Sequence, residues 1–109
     1  MKSWISQVIQ SKERMAIPIM THPGIELTGK SVYEAVTNGK IHFEAIKALY
    51  DRYPSAATTV IMDLTVEAEA FGASITFPEN EVPSVTCRLV TDYESVKTLE
   101  IPDLGKGRI

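Results

Sequence analysis

The feature that most limits this chain is a pair of strand-length apolar runs, Met15–Met20 and Ala57–Met62, set apart by helical patterning. Each run is continuous rather than alternating, the pattern of a strand covered on both faces. The second is rich in β-branched residues, and Asp63 ends its apolar character. Pro18 weakens the first, because proline has no N–H to donate to a central ladder. Strand, helical connection and strand make a βαβ unit, with parallel strands and a right-handed crossover. The spacing therefore predicts an α/β fold in which two parallel strands leave apolar faces and edges uncovered.

Helical signals surround these runs. Trp4, Ile5, Val8 and Ile9 form one face of a short amphipathic helix with Ser3 as its N-cap. Thr21-His22-Pro23-Gly24 reads as a loop, since Pro23 disfavours helix at His22. Ser31 and Glu34 have capping-box spacing, and Asn38-Gly39 is a matching stop. From Lys40 to Tyr53 the residues Ile41, Ala45, Ala48, Leu49 and Tyr53 recur at helical spacing up to Pro54. Leu64 to Phe71 reads as a short helix capped by Thr65 and closed by Gly72. Ser74–Phe77 and Val85–Leu89 form a hairpin around a polar Pro78–Pro83 loop. Thr91 and Glu94 give a second capping box, opening a helix that Pro102 ends, and the tail from Asp103 carries no regular pattern.

Composition removes several partners. With 11 Lys+Arg against 14 Asp+Glu the chain carries a net charge of −3, and its basic residues are scattered, so neither nucleic acid nor an anionic membrane surface is expected to bind. Its 109 residues read as a single unit, residues 1–109, without repeats or low-complexity segments. No apolar run reaches the roughly 18–20 residues of a membrane span. Lys2, Ser3, Gln7 and Gln10 interrupt any signal-peptide apolar region. One cysteine, Cys87, cannot form an internal disulfide, which favours a reduced, cytoplasmic setting.

In parallel α/β folds ligands bind at the carboxyl ends of the strands, here Thr21–Gly24 and Asp63–Glu67. His22 can donate a proton, donate a hydrogen bond to an anion or ligate a metal, or it can be a loop histidine held by Pro23. Asp63 can hold a substrate N–H or a cation or move a proton, or it can cap the helix from Leu64. Glu67, four residues on, would share a helix face with Asp63, or would sit in a first turn favoured by the helix dipole. Glu69 points elsewhere, solvated or paired. His22, His42 and Cys87 lie far apart with no Cys-x-x-Cys, His-x-Cys or His-Glu-x-x-His, so no metal site is expected from this chain alone. Cys87, on a strand, reads as a small buried hydrophobe.

The run Asp63-Leu64-Thr65-Val66-Glu67-Ala68-Glu69-Ala70-Phe71-Gly72 carries an Asp-x-x-x-Glu-Ala-x-x-x-Gly pattern. It resembles the second-strand motif of the uroporphyrinogen decarboxylase superfamily, and within it the corrinoid-dependent, cobalamin:coenzyme M type methyltransferases. Pro83-Ser84-Val85, Ile101-Pro102-Asp103 and Gly105-Lys106-Gly107-Arg108-Ile109 support the match, which extends from about Arg14 to Ile109. The resemblance implies a (β/α)8 TIM-type barrel with its active site at the mouth. Because such barrels need roughly 250 residues, the resemblance further implies that this chain is an N-terminal portion contributing the first two strands. Asp63 matches the family's aspartate, which in the decarboxylases contacts pyrrole nitrogens.

The decarboxylases also carry an arginine-rich segment after the first strand that grips propionates. Here that place reads Thr21-His22-Pro23-Gly24-Ile25-Glu26, without arginine, which points to the methyltransferase branch. That branch moves a methyl group from a corrinoid to a thiol and binds zinc through a His-x-Cys pair and a later Cys in the second half of the barrel. Zinc and a corrinoid are therefore implied for the full-length family, and the chain alone is expected to be inactive. The expected contribution is a substrate-binding wall made by Asp63, His22 and Glu67. A corrinoid protein or a small-molecule thiol or tetrapyrrole would be its partner. The alternatives are a uroporphyrinogen decarboxylase and a noncatalytic interaction module. The uncovered apolar face further predicts self-association of the isolated chain.

Overall fold

Ser31 opens a turn whose two ends satisfy each other. Its Oγ accepts from the Glu34 N–H at 3.1 Å, while a Glu34 carboxylate oxygen accepts from the Ser31 N–H at 2.9 Å. This capping box starts one of six short helices in a computed structural model that describes residues 2–61, 63–103 and 108. In chain order these are α1 Lys2–Gln10, α2 His22–Thr28, α3 Val32–Thr37, α4 Gly39–Arg52, α5 Val66–Ala70 and α6 Tyr93–Lys97. Between α5 and α6 lie two short strands, β1 Ile75–Thr76 and β2 Ser84–Val85.

The core gathers where α2 and α3 pack on α4. Ile25, Val32, Ala35 and Ala45 are buried together, with Val36, Ile41 and Ile61 packed against them. The approach of α2 to α4 is close because Gly24 is bare. A methyl placed there would come within 2.8 Å of the Ala45 carbonyl carbon and 3.1 Å of the Leu49 Cβ. Asn38 ends α3 and caps α4, its Oδ1 accepting from the N–H groups of Lys40 at 3.0 Å and Ile41 at 3.3 Å. Helix α4 thus fulfils the amphipathic pattern expected from Lys40 to Tyr53, with Ala45 and Leu49 inward.

The hairpin is also present. Ile75 pairs with Val85 and Thr76 with Ser84 in antiparallel register, and the Thr86 N–H extends the pairing to the Ser74 carbonyl at 2.9 Å. The Tyr33 N–H donates to the Glu79 carbonyl at 3.1 Å, and the Tyr33 and Phe77 rings meet edge to face at 6.1 Å, so the hairpin is tied to the start of α3. The architecture is therefore mixed helix with a small antiparallel sheet, consistent with an α/β fold.

Five expectations need correction. Neither apolar run forms a strand among the described residues, and Met62 lies outside them. The runs meet through side chains instead. The Thr21 Oγ1 donates to the Thr59 carbonyl at 3.5 Å and the Thr59 Oγ1 donates to the Pro18 carbonyl at 3.3 Å. Pro18 has no N–H for a ladder, and two isolated strands have no further neighbours to satisfy their outer edges. Thr21-His22-Pro23-Gly24 is not a loop but the start of α2, where a proline in the first turn removes an N–H that would find no helical partner. The second capping box is shifted by one residue. Asp92 Oδ1 accepts from the Ser95 N–H at 2.8 Å, and the Ser95 Oγ accepts from the Asp92 N–H at 3.1 Å. The helix it opens ends at Lys97, before Pro102. Finally, Cys87 lies two residues beyond the two-residue strand β2 and is exposed rather than buried. Helix α1 begins at Lys2, ahead of the Ser3 expected as its cap.

Candidate functional site

Asp63 follows the second apolar run, where the chain turns toward α5. Its Oδ1 accepts from the Thr65 N–H at 3.0 Å and from the Thr65 Oγ1 at 2.7 Å. The local reason is the short reach of aspartate, which readily accepts from the backbone two residues on. The N-cap position of α5 falls on Thr65, which makes no side-chain cap bond to the helix because its hydroxyl is turned to Asp63. The far end of α5 is closed at Gly72, whose φ of +96° favours glycine and whose N–H donates to the Glu69 carbonyl at 2.9 Å.

The other oxygen of Asp63 faces Arg108. The guanidinium is forked: Nη1 donates to Asp63 Oδ2, Nε to Glu69 Oε2 at 2.6 Å, and Nη2 to Thr65 Oγ1 at 3.0 Å. Its carbon lies 4.6 Å from the centre of the Phe77 ring, so the flat face rests on the hairpin while the edges reach the carboxylates. The Asp63 and Arg108 side chains are 8% and 14% exposed and that of Glu69 is 29% exposed, which places the pair largely out of water.

Burial works to raise the Asp63 carboxyl. The Thr65 hydroxyl and N–H, followed by the Arg108 guanidinium, outweigh it and hold the group below the usual carboxylate range. Burial likewise works to lower Arg108, and its bonds to Asp63 and Glu69 reverse the sign. Asp63 therefore stands as an ionised acceptor. It can receive an N–H or O–H donor, and it is poorly suited to give up a proton near neutral pH.

The other anticipated residues lie apart from this group. His22 is the first residue of α2, exposed, and lines a shallow cleft of about 160 Å³ with Ile19, Met20, Thr21, Val60 and Ile61. Among the described residues no hydrogen bond or ion pair joins His22 to Asp63. Glu67 is exposed on α5, and Glu69 is the residue of that helix that shares Arg108 with Asp63. Arg108, Thr65, Glu69 and Phe77 make the site, and the separations from Arg108 back to Asp63 and Glu69, 45 and 39 residues, gave periodicity nothing to detect. The available signals were an aspartate ending an apolar run, which needs a cation when buried, and an arginine in an otherwise patternless tail.

Among the described residues no three His, Cys, Asp or Glu side chains converge as metal ligands. These residues therefore do not fit zinc. No helix among them is long and apolar enough to cross a membrane.

A family model described as uroporphyrinogen decarboxylase (URO-D) matches residues 12–109. The chain belongs to the uroporphyrinogen decarboxylase family. The match covers every residue of the Asp63 group and does not separate the decarboxylase from the methyltransferase branch. No curated protein and no solved structure matches the chain.

Proposed function

We propose that this chain is the N-terminal part of a TIM-type barrel of the corrinoid-dependent methyltransferase branch, and that Asp63 lends the substrate pocket a fixed negative acceptor. The observation that carries this reading is the Asp63 carboxylate itself. It is held ionised at the end of the second apolar run by Thr65 and Arg108, where α/β folds place their ligands. His22, beside the end of the first run, and Glu67, exposed on α5, are the further pocket residues of this reading.

The methyltransferase branch is favoured by the start of α2. Thr21 to Glu26 offers a buried glycine, a buried isoleucine and an exposed glutamate, with no arginine to grip the carboxylates of a tetrapyrrole. In this reading a corrinoid protein brings the methyl group and a small thiol takes it, while residues outside this chain hold the zinc. The decarboxylase reading rests on the same Asp63, since an ionised acceptor suits pyrrole N–H donors equally well.

The test uses a longer relative carrying the Asp-x-x-x-Glu-Ala-x-x-x-Gly motif, assayed for methyl transfer from methylcobalamin to a thiol and for uroporphyrinogen decarboxylation. The expected result is methyl transfer that falls on the order of 100-fold in the variant matching Asp63→Ala, the scale for losing a placed polar group in a reaction site. Porphyrinogen turnover without methyl transfer assigns the decarboxylase branch. Unchanged turnover and affinity in the variant removes Asp63 from the pocket.

A further inference from the structure

Arg108 can only donate hydrogen bonds, and this fixes more than its own position. Because its Nη2 donates to Thr65 Oγ1, the Thr65 hydroxyl proton must point to its other neighbour, Asp63 Oδ1, at 2.7 Å. Nη1 meanwhile donates to Asp63 Oδ2. The result is a closed ring: guanidinium to hydroxyl, hydroxyl to one carboxylate oxygen, guanidinium to the other. The Phe77 ring, 4.6 Å away, backs the guanidinium, and Glu69 takes its third nitrogen at 2.6 Å.

We propose that Arg108 is a positioning residue for Asp63: its three-way fork locks the carboxylate in one orientation and turns the Thr65 hydroxyl proton toward it. The proposal rests on the reading of Asp63 as a pocket acceptor for its functional meaning, though the ring is a property of this chain. Asp63 Oδ1 is filled by two donors from Thr65, while among the described residues Oδ2 takes a single donor, Arg108. An incoming donor would therefore meet Oδ2. Glu69 joins the group by anchoring the arginine at Nε, while Glu67 is exposed on the same helix.

Among the described residues, the charged groups facing Asp63 are Arg108, and through it Glu69 of α5. The experiment follows the Asp63 carboxyl carbon by NMR as pH is varied in this chain, with no substrate present, in the unaltered protein and in Arg108→Met and Thr65→Val. Glu34, in its remote capping box, reports whether the fold is intact. The expected result is an Asp63 midpoint raised by about one pH unit in Arg108→Met, the scale for removing an adjacent guanidinium. A smaller rise is expected in Thr65→Val, and Arg108→Lys should recover part of the loss. An unmoved Asp63 midpoint in Arg108→Met, with Glu34 unchanged, overturns the proposal. Should Arg108→Met disturb Glu34 as well, Thr65→Val decides: no shift there overturns it and an upward shift supports it. Because no activity is read, this outcome is independent of whether Asp63 serves a methyltransferase, a decarboxylase or neither.

Discussion

The Ile61 N–H donates to His42 Nε2 at 2.9 Å, so an imidazole on α4 holds the segment that reaches Asp63 two residues later. Only a neutral ring can accept at Nε2, which places the remaining proton on Nδ1. Burial pushes His42 below its ordinary value, in the same sense as the bond. A folded-state value below the unfolded one means that the native chain binds fewer protons. The stability from this contact is then fully present above about pH 6.5 and is lost as pH falls through the folded value. Urea denaturation at pH 7.5 and pH 5 should show a lower midpoint at the acid pH, and His42→Gln should shrink that difference. Equal midpoints in the unaltered chain would remove the bond from the stability balance.

Gly24 sets the distance between α2 and α4. A Cβ there overlaps the Ala45 carbonyl and approaches the Leu49 Cβ at 3.1 Å, and backbone on the far side cannot move aside. Gly24→Ala should therefore destabilise by about 1–3 kcal/mol, the usual cost of overpacking, despite its gain in helix propensity. Thermal unfolding would detect it, and a rise in midpoint would contradict the packing.

Ser31 supplies one half of the capping box on α3. Ser31→Ala leaves the Glu34 N–H without its acceptor and should cost about 1 kcal/mol. Glu34 is held below the usual carboxylate range by the Ser31 N–H and then by Lys30. The same variant should leave that shift largely in place, because the Ser31 N–H is retained. Denaturation and a carboxyl titration together check both halves.

Apolar surface remains outside the core. Ile9, Leu64 and Ile101 are 76%, 79% and 92% exposed, and the radius of gyration is 17.8 Å. A compact chain of this length would have about 13 Å. Self-association of the 109-residue chain is the expected consequence. Light scattering should show mass rising with concentration together with binding of a hydrophobic dye. A constant monomer mass without dye binding would contradict it.

What could be read from the residue order was local. The Ser31–Glu34 box, the amphipathic register of α4 and the turn that pairs β1 with β2 are each decided within a few residues, and each is present. The two apolar runs failed as strands because a strand is completed by neighbours, and Pro18 offers none of its own. Thr59 pairs with Thr21 and Pro18 through its side chain, an arrangement with no period to betray it. Asp63 was legible as a candidate because a carboxylate at the end of an apolar run needs a reason. Its partner was not, since Arg108 lies 45 residues away in a stretch without pattern.

Asn38 serves two helices at once, the single residue between α3 and α4, ending one and capping the other. Such a joint has no slack. Inserting one residue at it would rotate everything downstream by about 100° around the α4 axis relative to α3. His42, four positions past the joint, would carry Ile61 and the turn bearing Asp63 round with it, away from their places against Ile25, Val32 and Ala35. The chain thus has little tolerance for a length change at this exposed asparagine, a place where surface position alone would suggest freedom.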